Sequence, residues 1–312
     1  MKAAQLNKYG GKNSVTINAA SMPKIEKDQI LVKVDAAGVN PFDVMVREGY
    51  TRSMAELNLP ATLGGDFAGS IEKVGEEVEG FKVGDTVFGQ AGALSGNGSF
   101  AEYVPVKASQ AAIIRADGNL RDYAALPLAA GSAYQALVTH IYLQPDQTIL
   151  IHGGAGGIGS MAIQIAKAIG ANVITTAASK DLDFVKSLGA DEVIDYQKED
   201  FTNKVHDIDA VFDTVGGETN KKSYQAIKNG GSFVSMKDQA DEEQVKAKNI
   251  NYVSQFTTIT NKKLHEIANL YESSKLKPQI DKIFKLDDAA EALEYQATGH
   301  PKGKVVIQVA SL

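Results

Sequence analysis

The sequence predicts a mixed α/β chain in which a β-rich unit is interrupted by a doubly wound parallel sheet. Three observations predict it. The first hundred or so residues carry short alternating apolar runs with turn signals at roughly 8–12-residue spacing, the pattern of a barrel- or sandwich-like β unit. From residue 148 onward, strand-like runs alternate strictly with helical segments, which implies right-handed βαβ crossovers and a parallel sheet. The chain then closes on one more apolar strand pattern, best paired with the opening unit. A length of 312 residues accommodates about two domains, each with its own core.

In chain order, Ile30–Val34 is a short apolar run, Ser70–Gly75 alternates before its glycine, Asp85–Gly89 follows a Val-Gly turn, and Phe100–Val104 alternates again. Gly38, Gly49, Gly64, Gly65 and Gly69 punctuate the connections. Asp122–Val138 is rich in Ala and Leu and reads as helical, interrupted by Pro127 and Gly131. Strands follow at 148–152, 172–176, 192–195, 209–213 and 231–235, with helices near 156–169, 181–188, 198–206 and 219–228. Asn249–Ser254 reads as a sixth strand at the edge of this sheet, and an edge strand invites pairing with a copy of itself. Residues 261–275 and 287–298 read as helices, the second with Asp287 as its N-cap, and Gly303–Val309 reads as the final strand. The domains expected are 1–122, an inserted 123–260, and a return over 261–312.

Composition excludes several classes of function. The chain has 32 Lys and Arg against 38 Asp and Glu, a formal charge of −6, and no basic tract, which argues against nucleic acid as a partner. It has no cysteine, so it holds no disulfide, thiolate nucleophile, iron–sulfur cluster or cysteine-ligated zinc. No apolar run approaches the roughly 18–20 residues of a membrane span, and the opening residues lack the apolar core of a signal peptide. A soluble, cytoplasmic protein of enzyme size is expected.

The chemistry is carried by the strand Ile149–His152 running into Gly153-Gly154-Ala155-Gly156-Gly157-Ile158-Gly159 and then a helix. Gly154, Gly156 and Gly159 satisfy G-x-G-x-x-G: a tight turn, a close approach of backbone to pyrophosphate, and close helix–strand packing. The N–H groups at the helix start, across residues 154–159, would hold the phosphates with help from the helix dipole. The strand before, the helix after and a second strand about a dozen residues on supply the context this motif requires. NAD enzymes place an Asp or Glu at the end of that second strand. Here it ends Thr175-Thr176-Ala177-Ala178-Ser179-Lys180. Ser179 can donate to a 2′-phosphate, Lys180 can neutralise it, and Tyr196 can flank the same pocket. The cofactor expected is NADPH. A helix N-cap at Ser179 beside a solvated lysine is the plainer reading. His152 is expected to pack rather than react. His140, His206, His265 and His300 are expected at the surface, and none has a partner at metal-ligand spacing.

Taken together, the segments resemble the zinc-free quinone oxidoreductase branch of the medium-chain dehydrogenase/reductase superfamily. The resemblance is carried by Ala36–Asp43 with Arg47-Glu48-Gly49, by Gly65–Gly69 with Val74-Gly75 and Phe81–Asp85, and by Leu126-Pro127-Leu128 and Tyr134–Leu137. Gly189-Ala190-Asp191, Asp213–Gly217 and Gly303–Val306 extend it over nearly the whole chain. It implies a GroES-like β domain for substrate, an inserted Rossmann domain for NADPH, and a homodimer. Where zinc-dependent relatives carry a catalytic Cys this sequence has Asn40, and where they carry a His-Glu pair it has Asp66-Phe67. Without a Lewis acid, alcohol dehydrogenation is hard. Quinones and enones are already electrophilic, so hydride transfer to them needs positioning more than metal.

The resemblance also implies site residues. Asn40 would orient substrate or nicotinamide, Tyr50 would donate to the developing oxyanion or relay a proton, and Asp43 would order the constellation. Ser132 would lie near the nicotinamide and Val215 would pack on its face. Asn40 before Pro41 is also a good turn residue, Asp43 a good cap and Tyr50 an ordinary rim aromatic. An NADPH-binding sensor or structural protein with little turnover is the alternative function.

Overall fold

The structure, a computed structural model, describes residues 1–114, 118–298 and 301–310. His300 lies outside the described residues. In chain order the opening elements are β1 (Lys2–Leu6), β2 (Val15–Ala19), β3 (Gln29–Val39), α1 (Pro41–Glu48), β4 (Ala61–Thr62), β5 (Asp66–Val74), β6 (Thr86–Gln90), β7 (Tyr103–Lys107), β8 (Ala111–Ile113) and α2 (Leu120–Ala124). Next come α3 (Pro127–Tyr134), β9 (Thr148–His152), α4 (Gly157–Ile169), β10 (Asn172–Ala177), α5 (Leu182–Ser187), β11 (Glu192–Asp195), β12 (Ile208–Asp213), α6 (Glu218–Ala226), β13 (Ile227–Ser235), α7 (Glu242–Lys248) and β14 (Asn251–Ser254). The chain closes on α8 (Asn261–Glu272), β15 (Ile280–Lys285), α9 (Ala289–Ala297) and β16 (Lys304–Gln308).

The chain divides into two compact units. The first comprises Met1–Leu128, Ile259–Glu272 and Pro278–Leu312; the second comprises Ala129–Thr258 with Ser273–Lys277. The first unit thus runs six residues past 122, because Tyr123 packs its ring 5.0 Å from Phe88 and 4.9 Å from Tyr271, and the Leu128 N–H reaches the Asp66 carboxylate. Ser273–Lys277 joins the second unit through Gln164, whose amide bonds both the N–H and the carbonyl of Lys277.

The first unit is built on a sheet of order β15-β16-β3-β5-β6-β8, with β7 also paired to β3, and a smaller sheet β2-β1-β4. The last strand β16 runs antiparallel to β3, so the end of the chain does return to the opening unit. Its other neighbour is β15, parallel to it, a strand that the sequence did not reveal because its residues are mostly exposed. Leu6, Val32, Val34, Phe67, Phe100, Leu293 and Val305 lie in the buried core. The alternating run at Phe100–Val104 is displaced: Phe100 and Ala101 bond toward Leu63 and Ala3, and the strand begins at Tyr103.

The second unit is a wholly parallel sheet of order β11-β10-β9-β12-β13-β14. Numbered within the unit, that order is 3-2-1-4-5-6, the doubly wound arrangement whose strand order reverses between its first and fourth strands. Its β9 is buried from Ile149 to His152, as a central strand covered on both faces must be. Two expected elements differ. The helix at 198–206 is a single tight turn, Phe201–Asn203, because the Asp200 carboxylate bonds the Thr202 N–H and hydroxyl and competes with helical pairing. The last helix starts after Asp288 rather than Asp287, since Leu286–Asp288 forms its own turn.

Candidate active site

In the first unit the site grows out of the end of β3. Asn40 breaks the strand in extended conformation, and Pro41 opens α1, where its missing N–H costs nothing. The Asn40 N–H donates to Asp43 Oδ2 at 2.8 Å, so Asp43 caps the helix start. The Asn40 amide is gripped at both ends. Its Nδ2 donates to Asp66 Oδ2 at 2.9 Å, and its Oδ1 accepts from Lys304 Nζ at 2.5 Å. Lys304 also donates to the Val39 carbonyl at 2.9 Å. Register explains the meeting: Gly38 pairs with Asp66 on β5, and Val39 pairs with Val305 on β16. Asp66 accepts further from the Leu128 N–H at 3.1 Å and, through Oδ1, from Gln90 at 3.4 Å.

All four of these side chains are buried, Asn40 and Lys304 to 3% exposure. Burial pushes the Asp43 carboxyl up to about 7, with the nearby Asp66 charge adding and the Asn40 N–H and Lys304 opposing. Burial likewise raises Asp66 and lowers Lys304. One ammonium thus faces two carboxyl groups, and the charge balances when one carboxyl keeps its proton. Tyr50, by contrast, follows the left-handed Gly49 at the end of α1 and is 73% exposed. The structure therefore brings Asn40 and Asp43 together and leaves Tyr50 at the surface.

In the second unit β9 delivers the chain into the glycine loop. A Cβ on Gly154 would lie 2.2 Å from Thr175 Oγ1, and one on Gly159 would lie 2.1 Å from the Gly153 carbonyl. Only glycine fits either place. The loop is fastened to β10 by Gly154 N–H to the Thr176 carbonyl at 3.0 Å. Residues Ala155, Gly156, Gly157 and Ile158 are half-buried at the start of α4, where the helix dipole favours an anion, although the Gly156 N–H is already given to the Gly153 carbonyl at 3.0 Å.

His152 braces this loop from behind. Ser223 gives its one hydroxyl proton to the Thr219 carbonyl at 2.7 Å, so His152 Nε2 must donate to Ser223 Oγ, 2.9 Å away. Nδ1 then accepts from Thr176, whose oxygen takes the Gly153 N–H. Burial pushes this imidazole down to about 4, Asp213 pulling the other way, and it stays neutral. At the register-matched end of β12, Asp213 Oδ1 accepts from the N–H groups of Val215 and Gly216 at 2.9 and 3.0 Å, and its Oδ2 accepts from Asn220. Val215 is thereby presented half-exposed on a fixed loop. Ser132 is fully buried, its hydroxyl 2.7 Å from that of Thr257, and its carbonyl accepts from Gln255.

Ser179 and Lys180 follow the end of β10 and Tyr196 follows the end of β11, two strand ends paired at Ala177 and Asp195. Lys180 is exposed and Tyr196 is 59% exposed. Ser179, however, donates its hydroxyl to Asp195 Oδ2 at 2.5 Å. Sequence reasoning passed over Lys304, Asp195 and Asp213 as site residues. A lone lysine opening an otherwise apolar strand was the available signal for the first; the other two need tertiary pairing to be seen. Among the described residues no group of three His, Cys, Asp or Glu side chains is disposed to hold a metal ion, and no helix is long and apolar enough to cross a membrane.

Residues 26–116 match the family described as the alcohol dehydrogenase GroES-like domain, and residues 188–307 match the family described as zinc-binding dehydrogenase. The chain is 36% identical to the 2-methylene-furan-3-one reductase of Solanum lycopersicum over 98% of its own length and 79% of that protein. It is 35% identical, with the same coverage, to the chloroplastic NADPH-dependent alkenal/one oxidoreductase of Arabidopsis thaliana. The solved quinone oxidoreductase of Coxiella burnetii superposes with a TM-score of 0.93 at 34% identity, covering 99% of both chains. Glycine cradle, doubly wound sheet, GroES-like sheet and full-length relatives agree, and the chain belongs to the quinone oxidoreductase branch of the medium-chain dehydrogenase/reductase superfamily.

Proposed function

We propose that this chain is a zinc-independent, NADPH-dependent oxidoreductase that transfers hydride to quinones or α,β-unsaturated carbonyl compounds. The observation that carries the reading is the glycine cradle at the point where the strand order reverses, with the exposed Lys180 and Tyr196 just beyond the ends of the next two strands. The names of its relatives, an enone-type reductase and a quinone oxidoreductase among them, support the acceptor class. The zinc-independent part is supported by residue chemistry: the chain has no cysteine, and a buried ammonium sits among Asn40, Asp43 and Asp66.

When bound, NADPH supplies a hydride from nicotinamide C4. The chain's own groups do the rest. Of residues 154–159, Gly154 and Gly156 give their N–H groups to the Thr176 and Gly153 carbonyls and shape the cradle. The remaining N–H groups at the start of α4 would hold the pyrophosphate, Lys180 and Tyr196 would hold the 2′-phosphate, and Val215 would pack on the nicotinamide. Ser132 sets the Thr257 hydroxyl. In the first unit Tyr50 offers a hydroxyl to the carbonyl oxygen on which negative charge develops. Asn40, clamped by Lys304 and Asp66, orients the reactants, and Asp43 fixes Asn40. The final proton comes from water. The half-buried strand β14, at the sheet edge, would pair two copies into a homodimer. The cysteine-free composition fits a cytoplasmic location.

The test is NADPH oxidation by purified protein across a panel of quinones and enones. Acceptor-dependent oxidation is expected. Tight NADPH binding with no turnover on any acceptor would overturn the reading in favour of a sensor or structural role.

A further inference from the structure

Beneath the proposed 2′-phosphate pocket lies a carboxylate that the reading above does not use. Asp195 ends β11 with its side chain covered, and its Oδ2 accepts the Ser179 hydroxyl at 2.5 Å. That is the length of a charge-assisted O–H···O⁻ bond. Its Oδ1 accepts from the Gln197 N–H at 3.1 Å, and the Gln197 side-chain oxygen accepts from the Ser179 N–H at 3.0 Å. Two strand ends are thus latched together, with Ser179 held from both its hydroxyl and its backbone. The Ser179 hydroxyl bond, followed by the Gln197 N–H and Lys198, keeps Asp195 below the usual carboxylate range, so it is charged at neutral pH. Lys198 is 3.2 Å away but largely in solvent, where its charge is screened.

A serine hydroxyl has one proton to give. Here it is already given, to a carboxylate. A 2′-phosphate, which offers only acceptors at its ionised oxygens, meets the lone pairs of Ser179 Oγ and a fixed negative charge behind them. A ribose 2′-hydroxyl can donate to that same Oγ. What attracts the phosphate is then Lys180, whose ammonium makes no ion pair among the described residues.

We propose that Asp195 is a specificity-determining residue: by holding the Ser179 proton it narrows the preference for NADPH over NADH that Lys180 alone would give. This rests on NADPH binding in this pocket. Asp195→Asn removes the charge and keeps an oxygen for the Gln197 N–H, so the strand ends stay latched.

The experiment is equilibrium binding of NADPH and NADH, with 2′,5′-ADP and 5′-AMP as fragments that probe the pocket without the nicotinamide. Asp195→Asn should raise the NADPH:NADH affinity ratio by about three- to tenfold, mostly by tightening NADPH, and the fragment ratio should follow. Ser179→Ala should change NADPH affinity less than about twofold in the native background, yet reverse most of the gain when added to Asp195→Asn. An unchanged or lowered ratio in Asp195→Asn, or a tenfold loss from Ser179→Ala alone, overturns the assignment while leaving the NADPH reading intact. A native chain that binds no NADPH overturns both.

Discussion

Asp43→Asn should remove the loss of stability that Asp43 imposes on the native chain between about pH 4 and pH 7. Asp43 shares a buried site with Asp66 and a single ammonium, Lys304, and burial pushes its carboxyl from 3.8 up to about 7. In the unfolded chain it ionises near 3.8, so between the two values the folded protein holds a proton that the unfolded chain has released. Stability is then full below the lower value, declines as pH rises through the window, and levels off above about 7. A shift of about three units, at about 1.4 kcal/mol each, makes the decline about 4 kcal/mol. Asparagine has the shape of the protonated carboxyl, keeps an oxygen for the Asn40 N–H, and cannot ionise. Urea unfolding of both proteins from about pH 4 to about pH 8 reads the effect. The stability of Asp43→Asn relative to native should grow with pH toward about 4 kcal/mol. His152, pushed down to about 4, titrates in the same window with the opposite slope, but it is present in both proteins and cancels in the difference. A difference that stays flat across the window refutes the one-cation, two-carboxyl account.

The same cluster gives a second expectation. Lys304→Met strands two buried carboxyl groups and the Asn40 oxygen, and should cost about 3–5 kcal/mol in urea unfolding at neutral pH. Gly159→Ala places a methyl 2.1 Å from the Gly153 carbonyl, so the loop must shift; calorimetry should find NADPH binding weakened more than about tenfold, with the fold retained by circular dichroism. Asn40→Ala should lower kcat by about tenfold or more; native kinetics would remove Asn40 from the site.

How far the sequence spoke depended on whether a feature was local. The parallel sheet was legible almost strand by strand, because βαβ units announce themselves by alternating period and by the glycines after β9. The return of the chain's end to the first unit was legible too, since a lone apolar strand at Gly303–Val309 needed a partner. What was not legible came from tertiary pairing. Lys304 lies 264 residues from Asn40 and meets it only because β16 pairs with β3. Ser179 looked like a free donor because nothing in its neighbourhood of sequence shows that Asp195, sixteen residues on, takes its proton. The helix expected at 198–206 failed to a local rule that was visible, the Asp200 side chain competing for the backbone, and β15 was missed because an exposed edge strand carries little apolar pattern.

The central claim, that NADPH bound in the second unit reduces an enone or quinone by hydride transfer, is tested most directly with NADPH carrying deuterium at both C4 positions and a simple enone. The account predicts one deuterium at the β-carbon of the saturated product and a solvent-derived hydrogen at the α-carbon. Oxidation of NADPH that leaves no deuterium in the product, or deuterium found elsewhere than the β-carbon, would contradict it.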